Sequence, residues 1–156
     1  IGRVKALQLE AIVQIAKRIL EGEEPKTFDD PQKVFEYFRP LAAGLAVERF
    51  WVLVLDRKNH LLRRADITTG IADASLVHPR EVFREVIREG GTAAIAVHNH
   101  PSGDPAPSAA DVRVTRQLRE SARILDIELH DHVIVGRQEA DPSGAGFYSF
   151  QDAGVL

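Results

Sequence analysis

The stretch that most constrains this chain is Val97-His98-Asn99-His100-Pro101-Ser102-Gly103-Asp104-Pro105-Ala106-Pro107-Ser108, because it joins an apolar run to an amphipathic one. Thr92 to Val97 is short, apolar and preceded by Gly90-Gly91, which reads as a buried strand. From Ser108 to Leu125 the pattern is helical, with Val112, Leu118, Ala122 and Leu125 available to pack. The three prolines and one glycine between them restrict the unfolded chain and fix the loop's course. A strand, a stiff loop and a helix in that order call for a sheet with a helix laid on it.

The remaining segments extend this frame. Val4 to Leu20 carries Val4, Leu7, Ala11, Ile12, Ile15, Ala16 and Ile19 on one helical stripe, and Glu21-Gly22-Glu23-Glu24-Pro25 reads as a linker. Asp30 is placed to cap a short helix that has Pro31 in its first position and Val34, Phe35 and Phe38 on one side. Phe50 to Leu55 is a continuous β-branched and aromatic run, Asp56-Arg57-Lys58-Asn59 is turn material, and His60 to Thr68 returns as a second strand. Pro79 to Arg88 is a helix with Val82, Phe83, Val86 and Ile87 as its apolar face. Ile127 to Val135 is another strand, ended by Gly136, and Asp141 to Gly146 is a flexible loop before the tail Phe147 to Leu156. Alternating strands and helices with one hairpin predict an α/β (α+β) sandwich built on a mixed sheet.

Composition narrows the function classes. The 156 residues suit one domain with a helical extension. Without a single cysteine there is no disulfide scaffold, thiolate zinc site, iron–sulfur cluster or cysteine nucleophile. Twenty basic residues face 23 acidic ones and are scattered, so no basic face advertises nucleic acid; the densest pair, Arg63-Arg64, reads as a solvated strand end. No apolar run is long enough for a membrane span, and the first residues lack a signal-peptide core, so a soluble cytoplasmic protein is expected. No methionine occurs, even at position 1, which suggests a fragment of a longer chain.

The chemistry gathers in the constrained loop. His98 and His100 are two residues apart at a strand end, a spacing that projects both imidazoles to one side, and Asp111 lies in the first turn of the following helix. Two imidazoles and a carboxylate, with a fourth position left to water, suit an open catalytic metal site. Such a metal lowers the pKa of water and polarises a carbonyl, which makes amide or ester hydrolysis the natural reaction. Each part also has a plainer reading: Ser108-x-x-Asp111 fits a helix-capping pattern, and a His-x-His pair is common on surfaces. The contiguous letters His-Asn-His do not match the spaced residues of HNH nucleases. Asp131 and His132 occupy opposite faces of a strand, so they are not expected to act as a dyad; either suits a partner that holds a ligand ring in one tautomer, or a polar pair at a strand edge. His60, His78 and His130 read as exposed or locally bonded, and Arg80 as a helix salt bridge or a substrate contact.

His98-x-His100-Pro101 followed by Ser108-x-x-Asp111 resembles the JAMM motif of the MPN metalloprotease superfamily, and the longer string through Pro105, Pro107 and Ser108 resembles its RadC-like branch. Glu48 ahead of Trp51 to Asp56, His78 to Phe83, Asp131 to Gly136 and Tyr148-Ser149-Phe150 extend the likeness over about residues 30–156. The resemblance implies an MPN/JAMM-type, cytidine-deaminase-like mixed sheet flanked by helices, spanning 27–156. It makes 1–26 the remnant of a helix-hairpin-helix region that is mostly missing here, so a nucleic-acid contact made by that region is not carried over to this chain. It also implies one Zn²⁺ per chain on His98, His100 and Asp111, Glu48 as general base and then acid, and Ser108 as oxyanion donor. The activity so implied is a zinc-dependent hydrolase acting on peptide or isopeptide bonds of a peptide or protein substrate. The rival readings are a DNA-repair accessory module with a structural or vestigial metal, and an iron enzyme using the same two histidines and carboxylate. His130 in place of an apolar residue and a long Glu139 to Gly146 loop depart from the RadC-like pattern.

Overall fold

Phe50 to Leu55 is buried along its whole length because both of its faces are covered and both of its edges are paired. The structure, a computed structural model, describes residues 2–21, 27–71 and 77–156. Strand β1 (Glu48–Leu55) pairs antiparallel with β2 (Leu61–Ile71) and with β3 (Ala93–Asn99). β3 pairs parallel with β4 (Glu128–Val135), and β4 pairs antiparallel with the short β5 (Phe147–Ser149), giving the order β2-β1-β3-β4-β5. The sheet is mixed, as the alternation of elements predicts. The β1–β2 turn is closed by Asp56, whose carboxylate accepts from the Lys58 and His60 N–H groups at 2.8 and 2.9 Å.

Helix α2 (Pro31–Ala42) covers one face and helices α3 (Pro79–Arg88) and α4 (Ala109–Ile124) the other. Alternation along β1 sends Phe50, Val52 and Val54 toward Val82, Phe83, Val86, Val114 and Leu118. It sends Trp51, Leu53 and Leu55 toward Val34, Phe35 and Phe38. α2 begins as its sequence predicts: Asp30 accepts from the Gln32 N–H at 2.7 Å, and Pro31 follows. α4 is needed for topology as well as packing, since parallel β3 and β4 require a crossover.

Two details differ from the sequence reading and two add to it. The inward stripe of α4 is Asp111, Val114, Thr115, Leu118 and Ala122, while Val112 is half-buried and Leu125 is 44% exposed. Counting only apolar letters misplaces the stripe because a threonine and an aspartate belong to it. Ile87 on α3 is exposed, and Glu85 is buried in its place, beside Arg63. Arg63 and Arg64 are a pair in sequence only: alternation sends Arg63 to Glu89 and Arg64 to the Tyr37 hydroxyl, at 3.2 and 2.9 Å. Helix α1 (Arg3–Glu21) forms, but its apolar stripe stays exposed, from 56% at Ile15 to 74% at Ile19. The expected linker at Gly22 to Pro25 lies outside the described residues. Among the described residues no helix is long and apolar enough to cross a membrane.

Candidate metal centre

The parallel pair β3–β4 ends where α4 begins, and the candidate site is built on that junction. His98, near the end of β3, faces α4 with its ring stacked on Phe50 (centroids 5.8 Å apart, 8° between planes). His100 lies just past the strand, and its N–H donates to the Val135 carbonyl at 3.0 Å. The loop that follows is pinned to the end of β4. The Arg137 N–H donates to the Gly103 carbonyl at 2.7 Å, and its guanidinium donates to the Ser102 and Pro101 carbonyls at 2.9 and 3.3 Å. This approach is close enough to need two glycines. Gly103 sits at φ +88°, and a Cβ on Gly136 would stand 2.2 Å from the Gly103 oxygen.

The pinned loop orients the second ring. His100 Nδ1 donates to the Asp104 carbonyl at 2.9 Å, which turns Nε2 inward. Asp111 is oriented by the helix cap: the Ser108 N–H donates to Asp111 Oδ2 at 2.7 Å, and the Asp111 N–H donates to Ser108 Oγ at 3.1 Å. The capping role of Asp111 is therefore compatible with its reading as a ligand. His98 Nε2 and His100 Nε2 are 3.1 Å apart, and they stand 3.2 and 3.3 Å from Asp111 Oδ1 and Oδ2. Ligands at about 2.0–2.1 Å in a tetrahedron are separated by about 3.3 Å. These residues fit a single tetrahedral ion with one position left over, and among the described residues they are a group able to hold a metal.

Electrostatics are consistent with that donor set. Burial alone would raise the Asp111 carboxyl, but the His100 and His98 rings beside it and the Ser108 N–H outweigh it and hold the group well below the usual carboxylate range. Burial alone would lower His100, yet Asp111 and the Asp104 carbonyl reverse it and raise the imidazole above its ordinary value. Glu48 opens β1 across the site, with Oε1 3.9 Å from His100 Nε2. Its backbone is clamped by Asn99, which accepts from the Arg49 N–H at 2.7 Å and donates to the Val47 carbonyl at 3.1 Å.

The structure thus brings together Glu48, His98, His100, Ser108 and Asp111. Asp131 stays apart, accepting from Ser149 Oγ, the Gln151 N–H and the His132 N–H at 2.6, 3.0 and 2.7 Å. His132, fully buried, bonds His98 Nδ1 at 2.8 Å and Thr115 Oγ1 at 2.6 Å, so it is the partner of a candidate ligand ring and not half of a strand-edge pair. His60 pairs with Asp56 and His78 caps α3, while His130 reaches Asn59. Arg80 is 76% exposed and pairs with Glu81. Asn99, Thr115 and Arg137 were not singled out by the sequence. Thr115 alone leaves a trace there, a polar residue one turn past Asp111 on the inward stripe.

A buried His-His-Asp cluster at a strand–helix crossover, faced by a glutamate, defines a three-layer α/β domain with a candidate single-metal centre. Residues 28–155 match the RadC-like JAB domain family, and the chain belongs to it. It is 41% identical to a UPF0758 protein of Syntrophotalea carbinolica and 40% identical to one of Geotalea uraniireducens, covering 100% and 99% of this chain and 66% of each relative. A UPF0758 protein of Methanosarcina mazei is 41% identical over 87% of this chain and 60% of its own length. The chain thus spans about two-thirds or less of these relatives.

Proposed function

We propose that this domain is a zinc-dependent hydrolase of peptide or isopeptide bonds. The observation that carries the reading is the convergence of two imidazole nitrogens and a carboxylate within 3.1–3.3 Å of one another, with the Glu48 carboxylate 3.9 Å from His100 Nε2. His98, His100 and Asp111 would hold the ion, which when bound supplies an acidified water and a polarised carbonyl. Glu48 takes the proton from the attacking water and returns it to the leaving amine, a transfer that needs a carboxylate within one water's reach. Its position is held by the Asn99 clamp. Ser108 Oγ accepts the Asp111 N–H through a lone pair, which leaves the hydroxyl proton to donate to the oxyanion. A peptide or protein is the proposed substrate.

The test is metal content by mass spectrometry, beside hydrolysis of peptide and isopeptide substrates. About one zinc per chain is expected, lost in folded His98→Ala and Asp111→Ala. Glu48→Gln is expected to keep the metal and lose hydrolysis by a factor of about 10²–10⁴. Unchanged hydrolysis in Glu48→Gln removes the proton-transfer role. Failure to take up zinc removes the mechanism and leaves a binding module.

A further inference from the structure

The buried groups behind His98 form a chain whose hydrogen-bond direction is fixed at one end. Thr115 Oγ1 lies 2.7 Å from the Asp111 carbonyl oxygen and 2.6 Å from His132 Nδ1. A carbonyl only accepts, so the one hydroxyl proton of Thr115 goes to Asp111. The remaining bond must then run the other way: His132 Nδ1 carries the proton and donates to Thr115. The His132 ring is fully buried and, among the described residues, bonded to Thr115 and His98 and to no carboxylate; an ion so placed is costly, so the ring is neutral. A neutral imidazole with its proton on Nδ1 has a bare Nε2, which accepts from His98 Nδ1 at 2.8 Å.

We propose that Thr115 and His132 are positioning residues that fix the tautomer of His98 through a one-way relay anchored on the backbone carbonyl of Asp111. The order is His98 Nδ1–H to His132 Nε2, His132 Nδ1–H to Thr115 Oγ1, and Thr115 O–H to the Asp111 carbonyl. It leaves His98 Nε2 as the atom offered to the metal, on the side where His100 Nε2 and Asp111 Oδ1 lie at 3.1 and 3.2 Å. The unusual feature is that a second ligand residue supplies the anchor: Asp111 offers its carboxylate to the metal and its carbonyl to the relay. His98, His132, Thr115 and Asp111 are all buried, at 2% exposure or less, so water does not compete for these bonds. No proton needs to move along the chain; its work is orientation.

The proposal rests on the metal-site reading but is tested apart from hydrolysis. Long-range ¹H–¹⁵N correlation spectra of the metal-free protein report which nitrogen of each ring is protonated. The expected result is a protonated Nδ1 and bare Nε2 on His132, with Nδ1 of His98 protonated as well. A proton on His132 Nε2 overturns the relay. In parallel, zinc affinity is measured by competition with a chelating dye. Thr115→Val should weaken it about 10–100-fold and Thr115→Ser should restore it. Wild-type affinity in folded Thr115→Val overturns the positioning role, and if that variant does not fold, the spectra of the unaltered protein decide alone. Loss of hydrolase activity with an intact relay would count against the proposed reaction only.

Discussion

Asn99 stands between two candidate ligands yet points the other way, and both its amide atoms close on the backbone either side of Glu48. Removing that amide strands an N–H and a carbonyl in a half-buried place. Asn99→Ala is expected to lower stability by about 1–3 kcal/mol and to reduce hydrolysis while zinc stoichiometry stays at one. Calorimetry and metal analysis check the two halves, and unchanged turnover would show that Glu48 holds its place without the clamp. At this scale legibility follows sequence distance. His98, His100 and Asp111 were readable because their spacing is local. Glu48 was reachable only through family likeness. Asn99 and Arg49 are 50 residues apart and His132 and Thr115 are 17 apart, so their pairing is a product of the fold and has no local pattern.

Among the elements, the His100–Ser108 loop lies tightly against the end of β4. A methyl on Gly136 meets the Gly103 carbonyl, which is itself held by the Arg137 N–H. Gly136→Ala should therefore destabilise by about 1–3 kcal/mol and displace the His100 side of the site. A lowered melting temperature with weakened zinc binding is the expected pair of readings; unaltered values would mean that the loop tolerates separation from β4. The C-terminal turn gives a pH signature. Burial raises the Asp131 carboxyl in spite of its bonds from Ser149, the Gln151 N–H and the His132 N–H. The unfolded group ionises near pH 4 and the folded one at higher pH. Across that interval the folded state binds more protons, so stability falls as pH rises and levels off above it. Denaturant titrations should show this slope in the wild type and a flatter profile in Asp131→Asn; identical slopes would remove the assignment. The elements themselves were legible because each carries its own stop, such as Asp30-Pro31 or Gly90-Gly91. The facing of α4 was not, because its inward stripe contains Asp111 and Thr115.

For the whole molecule, the mixed sheet followed from alternating elements plus a hairpin, whereas strand order depends on non-local pairing that no local pattern encodes. The core is formed by α2, α3, α4 and the sheet, and the α1 stripe takes no part in it. Residues 27–156 produced alone should consequently keep the melting temperature and zinc uptake of the full 156-residue chain within error. A drop of several degrees would place α1 in the cooperative unit.

The double engagement of Asp111, by side chain against the His98 and His100 rings and by carbonyl under Thr115, bears on how this domain tolerates insertions and deletions. One residue gained or lost between positions 111 and 115 turns the helix by about 100°. That rotation would carry Thr115 out from under His132 while Asp111 stayed with the rings, or the reverse. The first turn of α4 can thus be inherited as a block or repaired by substitution within it, but it has no room to slip.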